Sequence, residues 1–528
     1  MSKHKLNTRA AGLVAVAVML SRVLGLVRDS VFAYLFGAGR LMDIFNMAFR
    51  LPNLLRDLFA EGALSTAFIT VFSKKIESDG DNSAWALASK ITTLALVFMS
   101  AITILGIVMA NSLVSIIAPG FDPEKTLLTV HLTQVMFPFI LLVSLAALTM
   151  GMLNARNVFG IPALASSFFN LGSIAGGVFF GWWYDPSFGP RALTGLAIGT
   201  LIGGFLQLAV QLPSLHRVGF RFNPDFRWKD SGVKQVLVLM IPSVIAGSAV
   251  QINVVVNSGF ASCLQDGAVT WLSYAFRLMQ LPLGIFGVAI ATVTLPVVSK
   301  IAVSGDKVHF RETLAKAMRL ATFLTIPSAM GLVFLSEPII SLIYERGKFT
   351  HEASVHTAQA LQFYALGLIG YSCIKVLSPA FYAINKKWTP MFVSFGSIGI
   401  NIILSWILIF KLNMGHRGLA LSTAISATLN FGTLYLFMRN EMGSLVSGKF
   451  VMTFLRCIFA SLLMAAWCWA IVHYGQHWMG NHSFLIRALT LFVTISVATV
   501  FYFGSCWVLH VEEVRDAIQI FRRKLLRK

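Results

Sequence analysis

Residues 21–61 read SRVLGLVRDSVFAYLFGAGRLMDIFNMAFRLPNLLRDLFAE. Arg22, Arg28, Arg50 and Arg56 stand there among leucine, valine and phenylalanine, in two segments apolar enough to lie at bilayer depth. A charge at that depth costs a few kcal/mol or more, so such residues face a partner or a polar cavity and mark a pathway. The function is to be sought in what these arginines hold.

The rest of the chain sets the context. Of 528 residues 56% are hydrophobic and only 12% charged, about half the charged share of a soluble fold. Mean hydropathy is +0.75. Apolar stretches of spanning length recur from end to end, which predicts an all-α polytopic membrane protein. The short alternating segments of an outer-membrane barrel do not occur. About fourteen spans are expected, with the first retained as a helix: its Lys3, Lys5 and Arg9 resemble a signal peptide, but no small-residue cleavage site precedes Arg22. The net charge of +20 gathers in alternate connecting segments. That bias is the positive-inside rule, and it places both termini in the cytoplasm. The charge is therefore topological, and nucleic acid is not an expected partner. Cys263, Cys373, Cys457, Cys468 and Cys506 are scattered through apolar segments without metal-ligand spacing and read as small core residues.

The chain repeats itself at an offset near 227 residues. AFRL at 48–51 returns at 275–278, and LVSIIAPGF at 113–121 matches IISLIYERGKF at 339–349. Asn157 to Pro162 matches Asn385 to Pro390, and Gly195-Leu196-Ala197 matches Gly418-Leu419-Ala420. Two six-helix lobes are expected, over 1–218 and 219–440, in the same orientation and related by an axis along the membrane normal. Two further helices fill 441–510. Residues 511–528 read as a basic amphipathic helix on the cytoplasmic surface or, equally, a solvated tail.

The first two helices also carry Asp29, Asp43, Asp57 and Glu61. Asp43, Arg50 and Asp57 are seven apart and share a face, but lie roughly 10 Å from one another, so their partners must come from elsewhere. Pro52 lacks a donor and is expected to kink the second helix. In the second half Arg277 and Lys375 lie deep in apolar helices, with no carboxylate well inside any span of that half. Cations so placed call for an anionic ligand or for pairing between lobes; fixed ion pairs and snorkelling are the structural alternative. Guanidinium forks suit phosphate oxygens, and several together suit a diphosphate. His473, His477 and His482 share one outer loop, a weak pattern for a metal. No phosphate-cradling Gly-Lys-Ser loop, nucleophile elbow or zinc-binding His pair is present, so neither ATP-driven pumping nor hydrolysis is indicated.

SRVLGLVRD, FGAG, AFRLPNLLRDLFAEGALSTAFI, PGF and YAFRLMQLPLGIFGVAI together resemble the MurJ/MviN lipid II flippases of the multidrug/oligosaccharidyl-lipid/polysaccharide exporter superfamily. The resemblance runs over essentially the whole chain. It implies movement of an undecaprenyl-diphosphate peptidoglycan precursor across the bacterial inner membrane, by a monomer with no cofactor. Lipid II, membrane lipids and the cell-wall synthesis machinery are the implied partners. It also implies that Arg22, Arg28, Arg56 and Arg277 bind substrate in a central cavity, and that helices thirteen and fourteen line a groove for the lipid tail. Ser21, Asp29, Asp43, Arg50, Asp57, Glu61 and Lys375 are the expected supporting or gating residues. The chain departs from the family pattern at Phe276, commonly acidic, and at Asp57, commonly basic. Some members bind sodium through carboxylates of helices seven and eleven; the positions available here are Asn257, Asn401 and Ser405, with Thr423 beside them.

Magnitudes fit a flippase. A C55 tail buried at about 0.8 kcal/mol per carbon stays in the hydrocarbon, so only the head needs a polar route. Alternating access would carry it, and an interior-negative potential drives an anion outward: two charges across 100 mV are worth roughly 4–5 kcal/mol. Coupling to a monovalent cation is the other expected source of drive. An exporter of another polyprenyl-linked oligosaccharide, or a membrane enzyme acting on such a lipid, is the alternative reading. An enzyme would need catalytic acids or histidines in its loops, whereas the acids here are embedded in helix two.

Overall fold

A computed structural model describes residues 8–58, 64–445, 448–479 and 483–514. Glu61, His482 and the basic tail from 515 onward lie outside them, as does the side chain of His477. Among the described residues the fold is entirely helical. Ten helices are long and apolar enough to cross a membrane, and twelve if each of two bent pairs counts as one span.

The chain forms two compact units. The first comprises residues up to Val269 together with Arg346–Phe349, and the second Thr270–Glu345 and Thr350–Lys528. Residues 219–269, which the repeat places in the second lobe, thus cluster with the first unit.

The first unit holds α1 (Thr8–Phe36), α2 (Arg40–Leu55), α3 (Ser65–Val108), α4 (Ala110–Ile117) and α5 (Pro123–Met136). It continues with α6 (Phe139–Ala155), α7 (Gly160–Tyr184), α8 (Ala192–Ala209), α9 (Leu212–Arg217) and α10 (Ser231–Ser262). Gly80, at φ +80°, divides α3 into two helices. The tightest pairing is α7 on α8. A Cβ at Gly199 would lie 2.2 Å from the Gly177 nitrogen, and one at Gly172 2.8 Å from the Gly203 Cα. Lipid tails offer no hydrophobic drive for helix association, so such backbone-to-backbone approach supplies the packing instead.

Arg346–Phe349 docks on the end of α1. The Lys348 N–H donates to the Tyr34 carbonyl (2.9 Å), and its Nζ donates to the carbonyls of Ser187 (2.7 Å) and Phe188 (3.1 Å). Gly347 at φ +58° has the Tyr34 oxygen where a Cβ would stand, so only glycine fits.

The second unit holds α11 (Ala268–Pro282), α12 (Val288–Ser304), α13 (Lys307–Phe334), α14 (Ser336–Tyr344), α15 (His351–Leu366) and α16 (Leu368–Ala383). It ends with α17 (Trp388–Trp406), α18 (Gly415–Met442), α19 (Gly448–Met479) and α20 (Phe484–Val508). A core of Phe323, Ile326, Cys457, Met464 and Tyr502 fastens α19 and α20 to α13.

The matched stretches adopt matching local geometry. Asn157 (φ +62°) and Asn385 (φ +59°) each end a helix in the left-handed region. In each the next N–H reaches back five residues, Val158 to Leu153 and Lys386 to Phe381, both at 2.9 Å. Asp122 and Thr350 each cap the helix that follows, accepting the N–H three residues on.

Candidate functional site

The first two helices of unit one carry their charges in three settings. Arg22 is exposed on α1, and no ion pair to it is present among the described residues. Six residues on, Arg28 places Nε and NH2 3.3 and 3.1 Å from the Asp29 carboxylate and lies 5.5 Å over the Phe169 ring. Asp29 is buried. Beside them the Asn170 amide of α7 donates to the Ser21 carbonyl (3.1 Å), which holds this part of α1 to α7.

Helix α2 supplies the second setting. Pro52 lies inside it, and the chain widens into a π-helical turn at residues 56–58. Proline removes one helical donor and such widenings mark functional hinges. Arg56 stands on that turn, Nε and NH2 at 3.1 and 2.8 Å from its neighbour Asp57. Arg50, six residues earlier, is half-buried. In both pairs the carboxylate is the next residue in sequence. It fixes the guanidinium and lowers the cost of its charge in apolar surroundings.

Asp43 belongs to a third setting, at the other end of α2. It is 1% exposed and accepts the Gly267 N–H (2.7 Å) and Lys125 Nζ (3.4 Å). Lys125, also buried, reaches Asp266 at 2.7 Å. Arg40 adds bonds of 2.5 and 2.7 Å to Asp122 and 3.1 Å to Glu124. The Arg40 guanidinium and the Lys125 backbone N–H hold the Asp122 carboxyl well below the usual carboxylate range. This network joins α2, α5 and the turn before α11. The partners of Asp43 do come from elsewhere in the chain. Sequence reading missed Lys125; its one signal was being a lysine just after PGF in an outer segment poor in basic residues.

In unit two, Arg277 and Lys375 are exposed, on α11 and α16 respectively. Phe276 packs edge-on against Tyr364 (5.3 Å) and Tyr371 (6.5 Å), so the position that commonly carries an acid instead fixes α11 by aromatic contact. After Pro282 the chain again widens into a π-helix, Leu283–Gly287. Leu283 follows Arg56 by 227 residues, the interval that separates the two AFRL motifs.

The polar positions considered for a cation divide between the units. Asn257 lies on α10, in unit one. Asn401 and Ser405 of α17 face α18 in unit two: the Ser405 hydroxyl is 2.8 Å from that of Ser422, and Ser426 donates to Asn401 Oδ1 at 3.4 Å. Thr423 donates to the Leu419 carbonyl (2.8 Å). Among the described residues no group of three or more His, Cys, Asp and Glu is arranged to hold a metal.

A model of the family described as Lipid II flippase MurJ matches residues 32–499. The chain belongs to that family. Among curated relatives, the probable lipid II flippase MurJ of Buchnera aphidicola is 34% identical over 493 residues, 93% of this chain and 94% of that one. The lipid II flippase MurJ of Burkholderia cenocepacia is 33% identical over 95% and 97% of the two chains. A solved structure of lipid II flippase MurJ in an inward closed conformation superposes with a TM-score of 0.74 at 28% identity, covering 93% of this chain and 99% of that one. An inward-facing multidrug resistance transporter of the MATE family superposes with a TM-score of 0.70 at 15% identity, over 82% of this chain, which shows a shared fold. MurJ family membership sets the arginine-bearing helices beside those of lipid flippases rather than those of enzymes.

Proposed function

We propose that this chain carries lipid II from the inner to the outer leaflet of the bacterial inner membrane, as a transporter and not as an enzyme. The observation that carries the reading is the family match over residues 32–499, with curated flippases covered for more than nine tenths of their length. Arg22, Arg28 and Arg56 of the first unit and Arg277 of the second bind the diphosphate. In support, Arg22 and Arg277 present exposed guanidinium groups from otherwise apolar helices, and Arg28 and Arg56 are held in fixed orientations by Asp29 and Asp57.

The topology that accompanies this reading has fourteen passes and cytoplasmic termini. Ten long helices and two bent pairs give up to twelve passes, and this reading assigns the remaining two to α1 and α2. Six-helix lobes over 1–218 and 219–440 rock to give alternating access, α19 and α20 carry the tail groove, and the protein works as a monomer. The interior-negative potential drives the anionic head outward. Asn257, Asn401, Ser405 and Thr423 are the positions to vary in testing for a monovalent cation.

Depletion in the native cell tests the function: lipid II should accumulate with its head facing the cytoplasm, and an unchanged distribution overturns the reading. Headgroup translocation in vesicles bearing Arg277→Ala tests the diphosphate assignment, which undiminished movement would sink.

A further inference from the structure

A circuit of phenylalanine rings in the first unit runs from α1 through α2, α6 and α7 and back to α1. Phe32 of α1 meets Phe45 of α2 edge-on at 6.0 Å, and Phe45 stacks on Phe49 at 6.4 Å. Phe49 lies 5.4 Å from Phe139 of α6, which lies 5.5 Å from Phe169 of α7. Phe169 then stands under the Arg28 guanidinium, whose carbon is 5.5 Å from the ring centre. Arg28 is four residues before Phe32, about one helical turn, so the circuit closes on the helix where it began. Phe139 is fully buried and Phe169 is 8% exposed, so the ring beneath Arg28 is backed by a close-packed neighbour.

Asn170, next to Phe169 in the chain, fixes how α1 lies on this platform. Its Nδ2 donates to the Ser166 carbonyl of its own helix and to the Ser21 carbonyl of α1, each at 3.1 Å. A Cβ at Gly25 would stand 3.7 Å from that amide, so α1 passes α7 closely there, three residues before Arg28. Asn170 is buried, and sliding one helix along the other would break its bond to Ser21 in a place water does not reach.

We infer that Phe169 is a positioning residue for Arg28, holding its guanidinium over the ring so that it meets the diphosphate in one orientation. This assignment rests on the flippase reading above. Two restraints act on the same group: Asp29 takes Nε and NH2 and fixes one edge, and the face of Phe169 supports the cation from a second side. A long side chain ordered before its ligand arrives loses less freedom on binding, which raises affinity. The negative ring face also stabilises the cation in apolar surroundings. A ring suits this task because it orients the guanidinium without taking up an N–H, whereas every carboxylate contact uses donors that phosphate oxygens need.

Headgroup translocation in vesicles, measured against lipid II content, tests the assignment. Phe169→Leu should raise the half-saturating lipid II content roughly three- to tenfold, the range of a cation–π contact, with the maximal rate within about twofold. Phe169→Tyr, which keeps the ring face, should restore wild-type saturation. Pentafluorophenylalanine in place of Phe169 keeps the shape of the ring and reverses the charge of its face, so it should behave as leucine does. It also serves should Phe169→Leu fail to fold. Wild-type saturation with the fluorinated ring overturns the inference, because a residue that only fills the core does not respond to ring charge. In an Arg28→Ala background the change at 169 should add less than about 1.5-fold. An undiminished effect there means that Phe169 does not act through Arg28, and equally overturns it.

Binding of farnesyl diphosphate to the purified chain in detergent separates this assignment from the flippase reading. If the wild type moves no lipid II but binds the probe, and the fluorinated ring weakens that binding, the flippase reading fails and the positioning role stands. If the fluorinated ring leaves binding unchanged, the positioning role fails whatever the transport result. A wild type that neither binds the probe nor moves lipid II overturns both.

Discussion

Asp43 accepts the backbone N–H of Gly267 at 2.7 Å, across 224 residues of chain, while Lys125 Nζ approaches the same carboxylate oxygen at 3.4 Å. Both charged side chains are almost fully buried. Asp43→Asn weakens both contacts, and Lys125→Met removes one of them. Each should cost about 2–3 kcal/mol, since removing one member of a buried pair strands the other. The double variant should lose less than the sum, because the two share one interaction. Melting temperatures in detergent check this; wild-type stability in Asp43→Asn would refute it.

Gly347 and Gly305 both lie at positive φ, but their surroundings differ. At Gly347 a Cβ would stand 2.4 Å from the Tyr34 carbonyl oxygen, and at Gly305 it meets nothing. Gly305→Ala should therefore cost about 1 kcal/mol from backbone strain alone. Gly347→Ala should cost more, about 2 kcal/mol or above, because Arg346–Phe349 must leave the end of α1. Equal melting temperatures in the two variants would contradict the docking.

Glu513 is 4% exposed and reaches Arg319 Nε at 2.9 Å, fixing the end of α20 to α13. Glu513→Gln should destabilise by about 3 kcal/mol, whereas Arg319→Met with Glu513→Leu should recover much of that loss. Tyr502→Phe, which loses a 2.7 Å bond to the Phe323 carbonyl, should cost about 1 kcal/mol. A double replacement as unstable as Glu513→Gln would argue against the pair.

Carboxylates outside the membrane contribute to stability in acid, among them Asp122, Asp225 and Asp230. Asp122 is held low by Arg40, Asp230 by Lys90, and Asp225 down to about 2 by Arg227. Their folded values lie below the unfolded value of about 3.9, so their contribution is complete above that pH and lost as pH falls through the folded values. Thermal stability should be level from pH 7 to about 5 and decline below about 4. Asp225→Asn should flatten the decline; an unchanged slope would exclude it as a source.

Arg28 presents Nε and NH2 together to Asp29, a fork that lysine cannot reproduce. Arg28→Lys should slow lipid II headgroup translocation by roughly tenfold, the equivalent of about 1.4 kcal/mol, and Arg28→Ala by more. If lysine supports the wild-type rate, charge alone suffices at this position.

What a local pattern can specify was legible in the chain. The apolar runs gave helices because unsatisfied backbone cannot sit in lipid. The matched Asn157 and Asn385 end their helices alike, and Pro52 precedes a π-helical turn. The motif around Arg28 and Arg56 marked the residues that carry the proposed chemistry. Arg50 illustrates the limit: its spacing from Asp43 and Asp57 placed all three on one face, yet Asp43 is bound by Gly267 and Lys125 and Asp57 by Arg56.

The sequence by itself determined the helices, the membrane and the identity of the intramembrane cations, because hydropathy, helix periodicity and charge are properties of neighbours along the chain. Only the tertiary structure decided that Gly267 and Lys125 meet Asp43, that Arg346–Phe349 belongs with the first unit, and that Glu513 meets Arg319. Those are contacts between residues tens to hundreds of positions apart. Their geometry follows from how helices pack, and no spacing along the chain encodes it.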